Sequence, residues 1–413
     1  MKKSYVVAAL MALPGMMMAQ KKDFGYKFYG QVRTDLFYNS RANSETVDGL
    51  FYMYPKDIAP DADGNDLNSF ANGGFYTLYS RIGVDVQGPK IFDKIKTSAK
   101  LEVDFRGSGT SFSMLRMRHV YFNLDWGKSA LLVGQTWHPL YGDVAPEILN
   151  LNMGAPYQPF SRAPQIRYRF TSQHAVITAA ALWQSQYLSV GPSTDVAGAT
   201  GTLKSQNFIK NSCTPEFYFG ADYKDKGLLV GAGLHLTSMT PRTQSKMNDE
   251  VFKVNERITS LSGEVHLKYK TDKLLLAAKS ILSSNLTQTS TVGGYGITSI
   301  DKRTGEQEYS PLRTSHSWVN IAYGNKWRYA VFAGYLKSLG AAEDVSGLIG
   351  TGTNVDQLTT ATGEITYNIP NWKFGAEYSW TGAWYGDNDS KGKVVDTHLV
   401  KNNRIVFTAM FMF

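Results

Sequence analysis

Residues 95–106 read IKTSAKLEVDFR. From Ala99 the stretch alternates: Ala99, Leu101, Val103 and Phe105 fall on one face, and Lys100, Glu102, Asp104 and Arg106 on the other. A period of two is that of a β-strand, whose successive side chains point to opposite faces. Residues 77–86 repeat the pattern, with Leu78, Ile82, Val84 and Val86 opposed to Thr77, Arg81 and Asp85. Such segments recur from Phe24 to Phe413, sixteen in all, with almost no helical periodicity between them. An even number of short alternating segments separated by turn residues is the pattern of a bacterial transmembrane β-barrel. A barrel this wide cannot be filled by side chains. Its charged faces must therefore line water and its apolar faces meet lipid.

The connections support this. Short links follow the even-numbered segments, among them Asp125–Lys128, Thr171–Gln173, Tyr223–Gly227, Lys270–Lys273, Tyr323–Lys326 and Asn368–Asn371. They carry Gly, Asn, Asp and Pro where tight turns need them. Most other links are long: Asn39–Gly74, His138–Ala163, Ser185–Ser212, Thr240–Val254, Asn285–Arg313, Ser338–Asp356 and Tyr385–Lys401. Gly107–Ser111 is the exception. Short periplasmic turns and long outer loops are the polarity of outer-membrane barrels. A soluble β-sandwich does not sort its loops by parity.

Charged residues are 19% of the 413, aromatics 13%, and glycine occurs 38 times. Mean hydropathy is −0.27. No apolar run beyond Gln20 reaches the roughly 20 residues a spanning helix needs. A barrel shows this composition because its two faces average out. At the start, Lys2 and Lys3 precede an apolar run, Tyr5–Leu13, then Pro14 and Gly15, and a small residue at Ala19. That is a secretory signal, with cleavage expected after Ala19, which leaves residues 20–413 as one barrel domain. Losing Lys2 and Lys3 takes the formal charge from +8 to +6. No basic stripe with interleaved aromatics points to nucleic acid. Cys213 is the single cysteine, so no intramolecular disulfide exists.

The fourth segment breaks phase. Arg116 and Arg118 alternate with Leu115 and Met117, after which Val120, Phe122, Leu124 and Trp126 take the apolar face. A β-bulge near Arg118-His119 accounts for the slip, with His119 a wall residue. Aromatics near strand ends (Tyr26, Tyr38, Tyr223, Tyr269, Tyr323, Trp327, Trp372 and Trp384) fit interfacial girdles. The last segment aligns Ile405, Phe407, Ala409, Phe411 and Phe413 on one face, and its terminal aromatic resembles an outer-membrane assembly signal.

Residues 115–143, LRMRHVYFNLDWGKSALLVGQTWHPLYGD, resemble the corresponding strands of trimeric sixteen-stranded porins. The likeness is greatest to the DcaP-like porins and their Bacteroidetes relatives. It extends over roughly the first 170 residues and is topological beyond them. It implies a homotrimer in the outer membrane, and a third outer loop, His138–Ala163, folded into the barrel. Pro139, Pro146, Pro156 and Pro159 stiffen that loop, and Asp143 and Glu147 could face a basic wall. Arg33, Arg81, Arg116, Arg118, Arg167 and Arg169 fall on lumen faces of the first six strands. Arg and Lys rings favour anions, so these eight residues are the expected constriction. The expected solutes are small, hydrophilic and leaning anionic, such as dicarboxylates. An alternative stands beside this: the arginines pair with Asp35, Asp85, Glu102 and Asp104 as wall salt bridges.

No enzymatic constellation appears: no Gly-x-Ser-x-Gly, no His-Glu-x-x-His and no paired cysteines. Gly127-Lys128-Ser129 lacks the first glycine of a phosphate loop, since Phe122 stands there. Asp61-Ala62-Asp63-Gly64-Asn65-Asp66 resembles the opening of a calcium loop, but Asp66 and Asn72 occupy the positions that need Gly and Glu. It reads as a surface turn. No cofactor or metal is expected. The competing function is a closed barrel serving as a surface enzyme or adhesin.

Overall fold

The computed structural model describes residues 24–45, 51–106 and 114–413. The expected export signal, residues 1–19, and the Gly107–Ser111 link lie outside the described residues. Sixteen antiparallel strands form the wall. The first half comprises β1 Gly25–Asn39, β2 in two pieces (Asn72–Tyr76 and Arg81–Ile91), β3 Ile95–Asp104, β4 Arg116–Asp125, β5 Ser129–Trp137, β6 Arg162–Thr171, β7 Ala175–Leu182 and β8 Glu216–Asp225. The second comprises β9 Leu228–Met239, β10 Ile258–Lys270, β11 Leu274–Ser284, β12 Gln307–Gly324, β13 Trp327–Gly340, β14 Val355–Ile369, β15 Trp372–Asn388 and β16 Val394–Met412. Each strand pairs with its neighbours in sequence, and β16 returns to β1 with Arg33 opposite Met410. Closure leaves no strand edge, the condition for a sheet to cross lipid.

The wall is inverted relative to a soluble protein. On β3, Leu101 is 47% exposed on the outside while Asp104 is 0% exposed within. Val265 and Glu264 on β10 repeat this at 58% and 4%. The inner turns are tight. Between β8 and β9, Gly227 takes φ +87, and a Cβ there would meet the Lys270 carbonyl oxygen of the next turn at 2.3 Å.

The bulge expected on β4 is present. Glu102 lies opposite His119 and Val103 opposite Met117, so Arg118 is the extra residue, and it turns inward with Arg116. His119 is a wall residue whose Nδ1 meets Thr136 Oγ1 at 2.8 Å.

Two expectations need correction. First, Leu78 does not face lipid. Asp35 lies opposite Tyr76 and Gln31 opposite Arg81, so four residues of the second strand oppose three of β1. The slip leaves Thr77 exposed and packs Leu78 against Tyr79 and Leu151. Second, several strands continue beyond the membrane into stretches read as loops. β12 begins at Gln307, β15 runs to Asn388 and β16 starts at Val394. Outside the bilayer both faces of a hairpin meet water, so alternation fades.

Among the described residues the outer loops carry three short hairpins: Asn43–Glu45 with Tyr52–Pro55, Val190–Pro192 with Thr202–Lys204, and Gln244–Met247 with Glu250–Lys253. A further strand, Gly293–Ile300, joins the outer end of β12 to Leu348–Thr351. One helix, Asn207–Ser212, lies in the fourth loop, and among the described residues no helix is long and apolar enough to cross a membrane. In the first loop the Asp61 carboxylate accepts hydrogen bonds from the Asp63 and Asn65 amides, and Asp66 is ion-paired to Arg41 at 2.6 Å. That is the wiring of a turn.

Candidate functional site: the loop-constricted lumen

The third outer loop leaves β5 at His138, crosses the lumen and rejoins the wall at Arg162. Its far side is seated in an aromatic and aliphatic cluster that includes Tyr157, Phe160, Trp318, Phe332 and Leu358. Trp318 Nε1 donates to Gln158 Oε1 at 2.8 Å and Tyr157 bonds to Thr360 at 2.8 Å. Phe51, Met53 and Tyr54 of the first loop complete the cluster. The side of the lumen beside β11 to β16 is therefore packed.

Polar anchors fix the loop along its course. At its root, Lys279 Nζ donates to the Leu140 carbonyl at 2.5 Å. Asp143 is bonded to Arg169, and the Lys268 amine reaches the Asp143 carbonyl at 3.3 Å. Burial alone would raise the Asp143 carboxyl. The Arg169 guanidinium, with Arg167 and Lys268 beyond it, outweighs that and holds it below the usual carboxylate range. Glu147 meets Arg328 at 2.8 Å and Lys270 at 3.6 Å. At the far end the Leu149 amide donates to Glu364 at 2.7 Å and Glu377 at 2.9 Å, and the Asn150 amide to Glu377 at 3.0 Å. Arg33 Nη2 closes the crossing on the Leu149 carbonyl at 2.6 Å.

The six wall arginines divide into three kinds. Arg118 is sealed, 1% exposed, between Glu102 at 2.5 Å and Asp104 at 2.8 Å, and acts as a brace rather than a lining residue. Arg33, Arg81 and Arg116 also hold wall carboxylates, Asp35, Glu102 and Asp104 respectively, but each still borders open space. Arg167 and Arg169 have no wall carboxylate. Arg167 donates to Gln165 and to the Trp137 carbonyl, while Arg169 takes Asp143 of the loop. Asp85 pairs with Lys100 at 2.8 Å instead of an arginine. Arg33, Arg81, Arg116 and Arg118 thus make wall salt bridges, whereas Arg167 and Arg169 do not.

Several residues of the site lay outside that reading. The Tyr79 ring is surrounded by Arg33, Arg81, Arg106 and Arg118, with guanidinium carbons 4.8–5.7 Å from its centroid. Arg162 lies over Trp137 at 4.0 Å, and its guanidinium nitrogens, like Nε and Nη1 of Arg106, have no hydrogen-bond partner among the described residues. Buried cations without carboxylates leave a strong positive potential. The inward parity of Arg328 between Trp327 and Tyr329 was a usable signal for that residue. Nothing local marks Tyr79.

Cavities flank the loop. One, on the outer side, has a volume of about 570 Å³ and is lined by Arg106, Arg116 and Lys204 among polar and apolar neighbours. The other, about 470 Å³ on the periplasmic side, brings Arg33, Arg81, Lys270, Lys273, Arg328 and Lys373 around Glu147 and Asp272. Glu147 shares this cavity with Arg33 and Arg81 and is itself paired to Arg328 and Lys270.

His138, Glu216 and His235 place ligand atoms within 4.8 Å of one another. Their wiring is that of a brace for the loop root. Glu216 accepts from His235 at 2.7 Å, Gln184 at 2.6 Å and Gln288 at 3.1 Å. The Leu140 amide donates to His138 Nδ1 at 3.1 Å, which keeps the ring proton on Nε2, facing Glu216. Burial pushes this imidazole down to about 4.

The model of the DcaP outer membrane protein family matches residues 17–255. No curated protein matches the sequence. Among solved structures, the outer membrane channel DcaP of Acinetobacter baumannii is similar with a TM-score of 0.65 and 18% identity, covering 95% of this chain and 99% of that one. The trimer form of OmpT, an outer membrane protein of Vibrio cholerae, follows at 0.54 and 14%, covering 95% and 100%. The anion-selective porin from Comamonas acidovorans gives 0.54 and 10%, again covering 95% and 100%. Identities of this size establish a shared fold.

Proposed function

Because this chain belongs to the DcaP outer membrane protein family, we propose that it is a passive porin for small hydrophilic solutes, favouring anions such as dicarboxylates. The observation that carries the anion preference is the charge of the cavity on the periplasmic side of the loop, where six cations face two carboxylates. The outer cavity adds Arg106, Arg116 and Lys204 with no carboxylate in its lining. Charged rings of one sign select the opposite ion. Arg167 and Arg169 stand between, on the wall the loop leaves open, with Asp143 as the local counter-charge.

In this reading residues 1–19 direct export, residues 20–413 form one barrel, and the working unit is a homotrimer akin to Bacteroidetes porins. The trimer form of OmpT supports that assembly by fold. Phe75, Phe105 and Met117, exposed at the outer ends of β2, β3 and β4, supply an apolar wall for it.

Liposome swelling tests the proposal. Proteoliposomes should swell faster in succinate than in its neutral diamide of similar size. Equal rates would remove the anion preference. No swelling in either solute would remove the porin reading and favour a closed barrel acting as an adhesin or surface enzyme.

A further inference from the structure

The lipid-facing sides of β12, β13 and β16 carry cations at one level. On β12, Arg313 lies ten residues from the inner aromatic Tyr323; on β13, Lys337 lies ten from Trp327; on β16, Lys401 lies ten from Phe411. An even separation keeps each cation on the outward face of its aromatic. A strand rising about 3.4 Å per residue and tilted about 40° climbs roughly 26 Å in ten residues, against an apolar band about 25 Å tall. Each cation therefore stands at the outer headgroup level.

The register joins them into an arc. Lys337 lies opposite Ser315, two residues below Arg313, and on its other side opposite Gln357. Gln357 lies opposite Trp384, and Trp384 opposite Leu399, two residues from Lys401. Lys393 of the eighth loop crosses over Gly340, the residue opposite Arg313, and a Cβ at Gly340 would stand 3.1 Å from that of Lys393. Arg313, Lys393 and Lys401 are exposed, while Lys337 is partly neutralised by Asp356 at 2.5 Å. Tyr335 and Tyr378 supply interfacial hydroxyls beside them, bonded to Gln357 and Asn403. The carboxylates of Glu343, Asp344 and Asp389, like Lys393, belong to the loops beyond the strand ends, and Asp387 and Asp396 stand at the outermost ends of β15 and β16, above Lys401. On β2, β3, β4 and β7 the corresponding outer ends present Phe75, Phe105, Met117 and Trp183 to the outside and, among the described residues, no cation.

We propose that this arc binds the phosphate groups of a phosphorylated glycolipid of the outer leaflet. Arginine grips phosphate through two parallel hydrogen bonds and lysine adds point charge. The apolar staves below supply the surface for acyl chains. The occupant is a lipid because the cations lie at the top of the hydrocarbon band and not in the lumen.

Native mass spectrometry of the purified protein in detergent, titrated with diphosphorylated lipid A, tests this. Neutralising one cation, Arg313→Gln or Lys401→Gln, should weaken binding about 5-fold. The triple variant Arg313→Gln/Lys337→Gln/Lys401→Gln should lose more than about 10-fold. Arg313 and Lys401 face outward without a buried partner, so the double variant Arg313→Gln/Lys401→Gln should lose more than about 5-fold while heat-modifiable gel mobility and single-channel conductance stay at wild-type values, which reports a folded barrel. Lys337→Gln also leaves Asp356 unpaired. Wild-type protein should bind the dephosphorylated lipid as weakly as the triple variant binds lipid A. The proposal is overturned if the triple variant binds within 2-fold of wild type, if phosphate-free lipid binds equally well, or if equimolar inorganic phosphate displaces the lipid.

Discussion

Asp143→Asn should raise the chloride-to-potassium permeability ratio about five-fold in 0.1 M salt. Asp143 is the loop carboxylate bonded to Arg169, with a side chain 51% exposed to the lumen. An ion passing about 5 Å from a unit charge in water feels about 0.8 kcal/mol. A screening length of about 10 Å leaves about 0.5 kcal/mol of that. The carboxylate attracts a cation and repels an anion by this amount, so its loss changes the ratio through about 1 kcal/mol. The loop should keep its place. A half-exposed ion pair is worth about 0–1 kcal/mol, and the Glu147, Leu149 and aromatic anchors remain. Reversal potentials in planar bilayers under a KCl gradient give the ratio directly. An unchanged ratio would refute the placement of Asp143 on the ion path. A shift toward potassium would refute the sign of the argument.

Further outcomes follow from the same contacts. Because the Asp143 carboxyl lies below its usual range, its ion pair should persist above the ordinary carboxylate range. It should be lost as pH falls through the lowered value; acid titration should raise anion selectivity more in wild type than in Asp143→Asn, where Glu147 and Asp272 still titrate. Glu377→Gln weakens the acceptor of the Leu149 and Asn150 amides; at about 1–3 kcal/mol for a buried acceptor, single-channel recordings should show added open-state noise, and quiet traces would deny Glu377 its positioning role. Phe160→Ala empties the seat shared with Phe51, Trp137 and Tyr141; the loss of about 3–5 kcal/mol should loosen the loop, enlarge conductance and lower the temperature at which the gel-mobility shift occurs.

The wall was legible in the sequence because two signals repeat locally: alternation within each strand and Gly, Asn or Asp at most inner turns. The bulge at Arg118 was legible for the same reason, since one extra residue reverses the parity of all that follow. The slip at residues 77–80 was hidden because Leu78 fits either face. The lumen arginines were found by parity, but their roles were not. Arg118 and Arg169 share a pattern and differ only in what lies across from them: two wall carboxylates for one, a loop carboxylate for the other. The partners of Glu147 are Lys270 and Arg328, more than 120 residues away. Barrel closure and the loop's path bring them together, and neither leaves a local trace. The loop's entry into the lumen came from family resemblance, and the cluster around Trp318 and Phe332 supplies its physical reason.

The account rests on a wet, positively biased passage beside the third outer loop. Recording single channels of the wild-type protein in a planar bilayer under a tenfold KCl gradient tests it most directly. The expected result is steady conductance with a reversal potential toward that of chloride. A silent bilayer, or a reversal potential toward that of potassium, would contradict it.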